Sequence, residues 1–180
     1  MNSKRYFSFF TMLLISILAL VGCADKESSS EEVDTSKAET MDSEQTATDY
    51  PIVIKHAFGE TVIEEKPERV ATVAWANHDV ALALGVVPVG FSAANYGVQD
   101  DSGILPWTAE KLKELGEENP NIFQDTDGLD FEAIADSNPD VILAAYSGIT
   151  QEEYDTLSQI APVVAYPEIP WVITWRDQIL

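Results

Sequence analysis

Arg69-Val-Ala-Thr-Val-Ala-Trp75, Asn77-His-Asp-Val-Ala-Leu-Ala-Leu84, Gly85 and Val86-Val-Pro-Val-Gly-Phe91 decide the fold. The first piece is a short apolar strand and the last is a second one. Between them, Asn77 is suited to cap a helix running to Leu84, and Gly85 is suited to end it. A strand, a helix and a strand in this order form a β-α-β unit, which implies parallel pairing and a right-handed crossover.

Working towards the C-terminus, the same alternation continues. A polar stretch from Ser92 to Pro106 precedes a helix opened at Thr108, with Glu110 in its first turn, that ends near Gly116. Asp130 begins a short helix through Ala135, Asn138-Pro139 breaks it, and Asp140 to Tyr146 forms a strongly apolar strand. Thr150-Gln-Glu-Glu153 is a capping-box pattern for a helix ending near Ile160, and Pro162 to Tyr166 is a further strand. Continuous apolar strands alternating with helices predict an α/β fold, its mostly parallel sheet covered on both faces. Towards the N-terminus, Pro51 to Phe58 and Thr61 to Glu64 flank Gly59-Glu60 and read as a β-hairpin.

The first residues give an address. Lys4 and Arg5 precede an apolar run from Phe7 to Val21, followed by Gly22-Cys23, the order of a secretory signal. A spanning helix needs about 20 apolar residues, and this run is shorter. Leu20-Val21-Gly22-Cys23 resembles the lipobox of bacterial lipoproteins, in which the peptide before the cysteine is removed and its thiol is lipidated. Cys23 is the sole cysteine of the 180 residues. From Ala24 to Asp49 the chain is rich in Ser, Thr, Glu and Asp and reads as a disordered acidic tether. The expected organisation is therefore a signal peptide at 1–22, lipidated Cys23 and tether at 23–49, and an α/β ligand-binding lobe at 50–173. Thr174-Trp-Arg-Asp177 is one more capping box, opening a helix over 174–180 that looks cut short.

The formal net charge of −21 argues against nucleic acid, whose binding requires a basic surface. P-loop, G-x-G-x-x-G, G-x-S-x-G and H-E-x-x-H signatures are all absent. The two histidines, His56 and His78, fall on different kinds of segment, so neither metal ligation nor catalysis is expected. Ligands of open parallel sheets bind beyond the carboxyl ends of the strands. That rule selects the loops Trp75–Asp79, Ser92–Trp107, Tyr146–Thr150 and Pro167–Ile173. These segments and their edges are rich in rings, namely Trp75, Tyr96, Trp107, Tyr146, Trp171 and Trp175, with Tyr166 nearby, and hold no lysine or arginine before Arg176. Rings with polar handles suit a shallow pocket for a bulky organic ligand.

Lys66-Pro-Glu-Arg-Val70, Ala81-Leu-Ala-Leu-Gly-Val-Val-Pro-Val-Gly90, Leu129-Asp-Phe-Glu-Ala-Ile-Ala135 with Pro139-Asp-Val-Ile-Leu143, and Leu157-Ser-Gln-Ile-Ala-Pro162 occur in order. Together they resemble the iron-siderophore substrate-binding lipoproteins of ABC importers. The resemblance implies the N-terminal lobe of a helical-backbone periplasmic-binding-like fold, whose second lobe would follow a connecting helix. It implies a non-enzymatic, monomeric binder on the extracytoplasmic face of the cell membrane that delivers a ferric siderophore to a permease. By position, Trp75, Tyr96, Trp107, Tyr146 and Ser147 are the expected ligand contacts, and Arg69 is a structural support. Glu110, Glu114, Glu117 and Glu118 are candidates for permease docking. No resident cofactor or protein-bound metal is expected, because the chelator holds the iron.

The shortage of cations sharpens the ligand. A ferric tris-catecholate carries three negative charges and calls for arginines or lysines, whereas a tris-hydroxamate is neutral or weakly positive. A hydroxamate-type siderophore is expected. Cobalamin, haem or ferric citrate on the same fold is the alternative, and an exported lipid-anchored enzyme the distant one. A single lobe is expected to bind weakly, since cleft sites hold ligand from both sides.

Overall fold

Val70–Thr72 (β3) and Gly90–Ser92 (β4) pair in parallel, Ala71 opposite Gly90, with the helix Asn77–Ala83 (α1) between them in sequence. The computed structural model describes residues 49–98, 100–125 and 127–179. The signal peptide, the lipidated Cys23 and all but the last residue of the tether lie outside the described residues. Among the described residues no helix is long and apolar enough to cross a membrane.

The remaining elements follow the expected alternation, with one addition. Pro106–Glu114 (α2) leads to a two-residue strand, Ile122–Phe123 (β5), that the sequence does not announce. Phe131–Asp136 (α3), Val141–Ala144 (β6), Gln151–Leu157 (α4), Val163–Ala165 (β7) and Trp175–Ile179 (α5) complete the order. The sheet order is β5-β4-β3-β6-β7, all neighbours parallel. Successive strands run outward one way through β4 and β5 and the other way through β6 and β7. The reversal falls between β3 and β6, which places the topological switch point there.

Several boundaries differ from expectation for local reasons. β3 stops at Thr72 because Ala74 takes a left-handed φ of 62°, so Trp75 leaves the strand. β4 starts only at Gly90, after Pro88, which has no N–H to give a ladder. Helix α2 opens at Pro106, not Thr108, because proline at a first helical position has no donor to lose. Asn77 does not cap α1. Ala76 stands at the cap with φ 60° and no side-chain bond, and the Asn77 amide is used elsewhere. Thr150 and Glu153 do form the capping box of α4, and Asp130 accepts from Ala133 N at the start of α3.

The hairpin is present as Ile52–His56 (β1) against Gly59–Ile63 (β2), antiparallel. Its turn is Ala57-Phe58, two residues earlier than expected, because Phe58 is held against the body of the lobe. The Phe58 ring stacks on Tyr154 at 4.8 Å and meets Tyr166 edge-on at 5.3 Å. Thr61 Oγ1 donates to Val163 O at 2.6 Å and Ala57 N to Tyr166 O at 2.9 Å, fastening the hairpin beside β7.

Two apolar layers sandwich the sheet. Ala71, Val73, Phe123, Ile142, Ala144 and Val163 pack with Ile134 of α3 and Leu157 of α4 on one face. Phe91 packs with Leu82 of α1 and Leu112 of α2 on the other. The Phe123 ring lies over Gly90, where any Cβ would overlap it. At the amino ends of the strands, Asp140 accepts from Glu68 N and Arg69 N, and the Arg69 guanidinium donates to Asn138 O and Ser137 O. Arg69 is thus a clamp between β3 and the turn before β6.

Candidate functional site

The carboxyl ends of the strands surround a cavity of about 670 Å³. Trp75 follows β3, Ser92 ends β4 and Ala93 to Val98 follow it, Gln124 and Asp125 follow β5, and Tyr146, Gly148 and Ile149 follow β6; all line it, as does Trp171 after β7. This is the crevice that an open parallel sheet forms at its switch point.

Asn77 holds the two loops at the switch point together. Its amide N donates to Val73 O at 2.7 Å and Tyr146 O at 3.0 Å, while its Oδ1 accepts from Tyr146 N at 2.9 Å. One buried side chain thereby joins the loop bearing Trp75 to the loop bearing Tyr146. Gln178 of α5 also donates to Asn77 Oδ1, at 3.3 Å.

The strand-end loops carry backbone strain. Ala74, Ala76 and Trp171 all have φ near 60°, a region that residues with a Cβ seldom occupy. Trp171 is held there by its N–H, which donates to Ser147 O at 2.9 Å. Its indole packs edge-on against Tyr146 at 5.4 Å, and a Cβ on Gly148 would overlap indole atoms Nε1 and Cε2. Gly148 is therefore the residue that makes room for Trp171.

Of the five expected contacts, Trp75, Tyr96 and Tyr146 line the cavity, and Tyr96 is exposed. Trp107 and Ser147 do not. Trp107 lies in the first turn of α2, where its Nε1 donates to Asp79 Oδ2 at 3.1 Å, beside Thr108, which donates to Asp79 Oδ1. That pair fixes α2 to α1. Ser147 is fully buried and its hydroxyl donates to Ala144 O at 2.6 Å, so it caps a strand end. Trp171, expected only as one ring among several, joins the lining.

Sequence reasoning missed a polar pair between β4 and β5. Ser92 Oγ accepts from Ala74 N at 2.8 Å and donates to Asp125 Oδ2. Asp130 N donates to Asp125 Oδ1 at 3.2 Å. Burial raises the Asp125 carboxyl above its ordinary pKa, against the hydrogen bonds from Ser92 and Asp130 N. Ionising it in this half-buried place is therefore harder than in water.

Among the described residues, the charged ones lining the cavity are Asp101, Asp125 and Glu153, and none is basic. His78 is buried and stacked on Phe91 at 4.8 Å. Burial lowers its pKa, with the Asp79 charge acting the other way, so the neutral imidazole is favoured. Among the described residues no group of three or more His, Cys, Asp or Glu converges on a point where a metal could sit.

Of the docking candidates, Glu114 is paired with Lys111 at 2.7 Å and Glu117 accepts from Asn119 N. Glu110 and Glu118 are exposed.

Residues 70–180 match the model of the family described as Periplasmic binding protein. The chain belongs to that family. Its members are substrate-binding proteins. Over 98% of its length the chain is 30% identical to the probable siderophore-binding lipoprotein YfiY of Bacillus subtilis (strain 168), covering 47% of that protein. It is also similar to PiaA of Streptococcus pneumoniae TIGR4, solved in complex with ferrichrome. The identity is 68% and the TM-score 0.68, covering 71% of this chain and 42% of that one. A periplasmic solute binding protein from Mycobacterium smegmatis str. MC2 155 is 32% identical, with a TM-score of 0.61 over 72% of this chain and 44% of its own. The chain spans less than half the length of the named relatives it matches.

Proposed function

We propose that this chain provides the N-terminal ligand-binding lobe of a lipid-anchored, extracytoplasmic component of an ABC importer. It captures a ferric siderophore, of the hydroxamate type, and hands it to the permease. It does no chemistry on its cargo, the chelator alone holds the iron, and the protein works as a monomer. The observation that carries this reading is the cavity at the strand ends, walled by Trp75, Tyr96, Tyr146 and Trp171 and, among the described residues, lined by no lysine or arginine.

Aromatic faces suit a bulky chelate, and a wall whose charges, among the described residues, are all carboxylates repels one with three negative charges. The ferrichrome bound by the S. pneumoniae protein, a hydroxamate chelate, supports the same class, and the probable siderophore-binding lipoprotein of B. subtilis supports a siderophore as cargo. Lipidation at Cys23 would hold the lobe near its permease, and Glu110 and Glu118 are the exposed, unengaged candidates for docking there.

The test is a tryptophan-fluorescence titration of the full-length protein with a ferric tris-hydroxamate and a ferric tris-catecholate at pH 7. The hydroxamate is expected to bind tighter by tenfold or more, about 1.4 kcal/mol. Tighter binding of the catecholate contradicts the reading.

A further inference from the structure

The three acids of the cavity are not equivalent. Glu153 is engaged by the end of its own helix, since its Oε2 accepts from Thr150 N at 2.7 Å and from Thr150 Oγ1 at 2.9 Å. Asp101 is exposed and sits in a left-handed turn, where water competes for any partner. Asp125 differs from both.

Its carboxylate is fixed from two directions. Ser92, itself buried, donates to Oδ2 from the end of β4 while accepting from Ala74 N beyond β3. Asp130 N donates to Oδ1 from the start of α3. A carboxylate offers about four lone-pair sites, so two contacts leave acceptor capacity at the cavity wall. Among the described residues no cationic side chain lines that wall to use it.

A fixed, half-buried acceptor has two consequences. It need not be reorganised when a donor arrives, and the poorly solvated surroundings make its charge count for more. A positively charged partner also restores what burial takes from the ionised form. The rings of Trp75, Tyr96, Tyr146 and Trp171 around the same space favour a cation as well.

We propose that Asp125, locked in place by Ser92, reads the charge of the ligand's periphery and selects, among ferric chelates, those that carry a protonated amine. This rests on the ferric-hydroxamate reading above and specifies which members of that class the site prefers. Ser92 is a positioning residue in this scheme, acting through Asp125 rather than on the ligand.

Two probes with identical iron coordination separate charge from shape. One is a linear ferric tris-hydroxamate ending in a primary ammonium, as in ferrioxamine B, and the other is the same chelate with that amine acetylated. Each is titrated by calorimetry against the full-length wild type, Asp125→Asn, Ser92→Ala and Asp101→Asn, with thermal melts to verify folding.

The wild type is expected to favour the ammonium form about tenfold, the size of one charge-assisted contact out of water. Asp125→Asn keeps the shape and, with its one carbonyl oxygen towards Ser92, that bond, while giving up the one from Asp130 N, and is expected to bring that ratio to about twofold or less on the same scale. Ser92→Ala should lower the ratio part of the way. Equal affinity of both forms for the wild type, or an unchanged ratio in Asp125→Asn, overturns the inference. So does an equal loss of ratio in Asp101→Asn, which would assign the preference to the general acidity of the cavity. Failure of the wild type to bind either chelate would instead overturn the ferric-hydroxamate reading, and this inference with it.

Discussion

The two ends of the central strands β3 and β6 are each tied by a polar side chain, yet they are built differently. At the amino ends, Arg69 and Asp140 spend their hydrogen-bonding groups on backbone atoms of the neighbouring turn and strand, on exposed surface. At the carboxyl ends, Asn77 makes the tie from a buried position, one of the loops it joins holds the left-handed Ala74 and Ala76, and the neighbouring strand-end loops add the exposed rings Tyr96 and Trp171 and the Asp125 carboxylate, with acceptor capacity to spare. The first end closes the fold. The second end is held open at some expense in strain, a pattern found where a protein binds something.

Cutting the upper tie should have the largest effect. Asn77→Ala strands Val73 O, Tyr146 O and Tyr146 N together, and is expected to destabilise the protein by about 3 kcal/mol in urea unfolding. A loss below about 1 kcal/mol would mean that water replaces the amide and that the tie is dispensable. Gly148→Ala comes next. Its methyl group must displace the Trp171 indole, so chelate affinity should fall about tenfold and the tryptophan emission should shift. Unchanged affinity would remove Trp171 from the site.

Arg69→Ala tests the lower end. Loss of the exposed clamp should lower stability by about 1 kcal/mol while leaving chelate affinity as it was. A comparable loss of affinity would show that the two ends are coupled. The smallest effect concerns Asp125. Its folded pKa is raised, so the protonated form is the one that folding favours, and its contribution is fully present below the ordinary carboxylate pKa and is lost as pH rises through the raised value. Asp125→Asn removes that half-buried charge and gives up the bond from Asp130 N, so its melting temperature relative to the wild type should be higher at pH 7 than at acid pH. A relative melting temperature that rises on acidification would contradict the sign.

The elements that carry both ends were legible in the sequence, whereas of the ties themselves only Arg69 was expected as a support, through the family resemblance. Apolar runs and capping residues announce β3, β6, β7 and the helices, because burial and backbone chemistry act within a few residues. The rings after each strand were legible for the same reason, since the strand ends locate them. Asp125 was not. It sits two residues beyond β5, whose Ile122-Phe123 core is too short to show a period, and without β5 nothing brings Asp125 to Ser92. Asn77 misled because asparagine suits a helix cap, whereas here the peptide groups of two distant loops compete for its amide and win. Trp107 and Ser147 lie on the expected loops, but Asp79 holds the exposed Trp107 against α1 and Ala144 O holds Ser147 in the interior, and no local pattern reports either partner.

The claim that the carboxyl-end cavity holds the iron chelate is tested most directly by finding which tryptophans the bound iron quenches. In titrations of the full-length protein with a ferric tris-hydroxamate, Trp75→Phe and Trp171→Phe should each remove a large share of the quenching, and Trp107→Phe little of it. Quenching that survives in the first two and disappears in Trp107→Phe would place the chelate elsewhere and contradict the account.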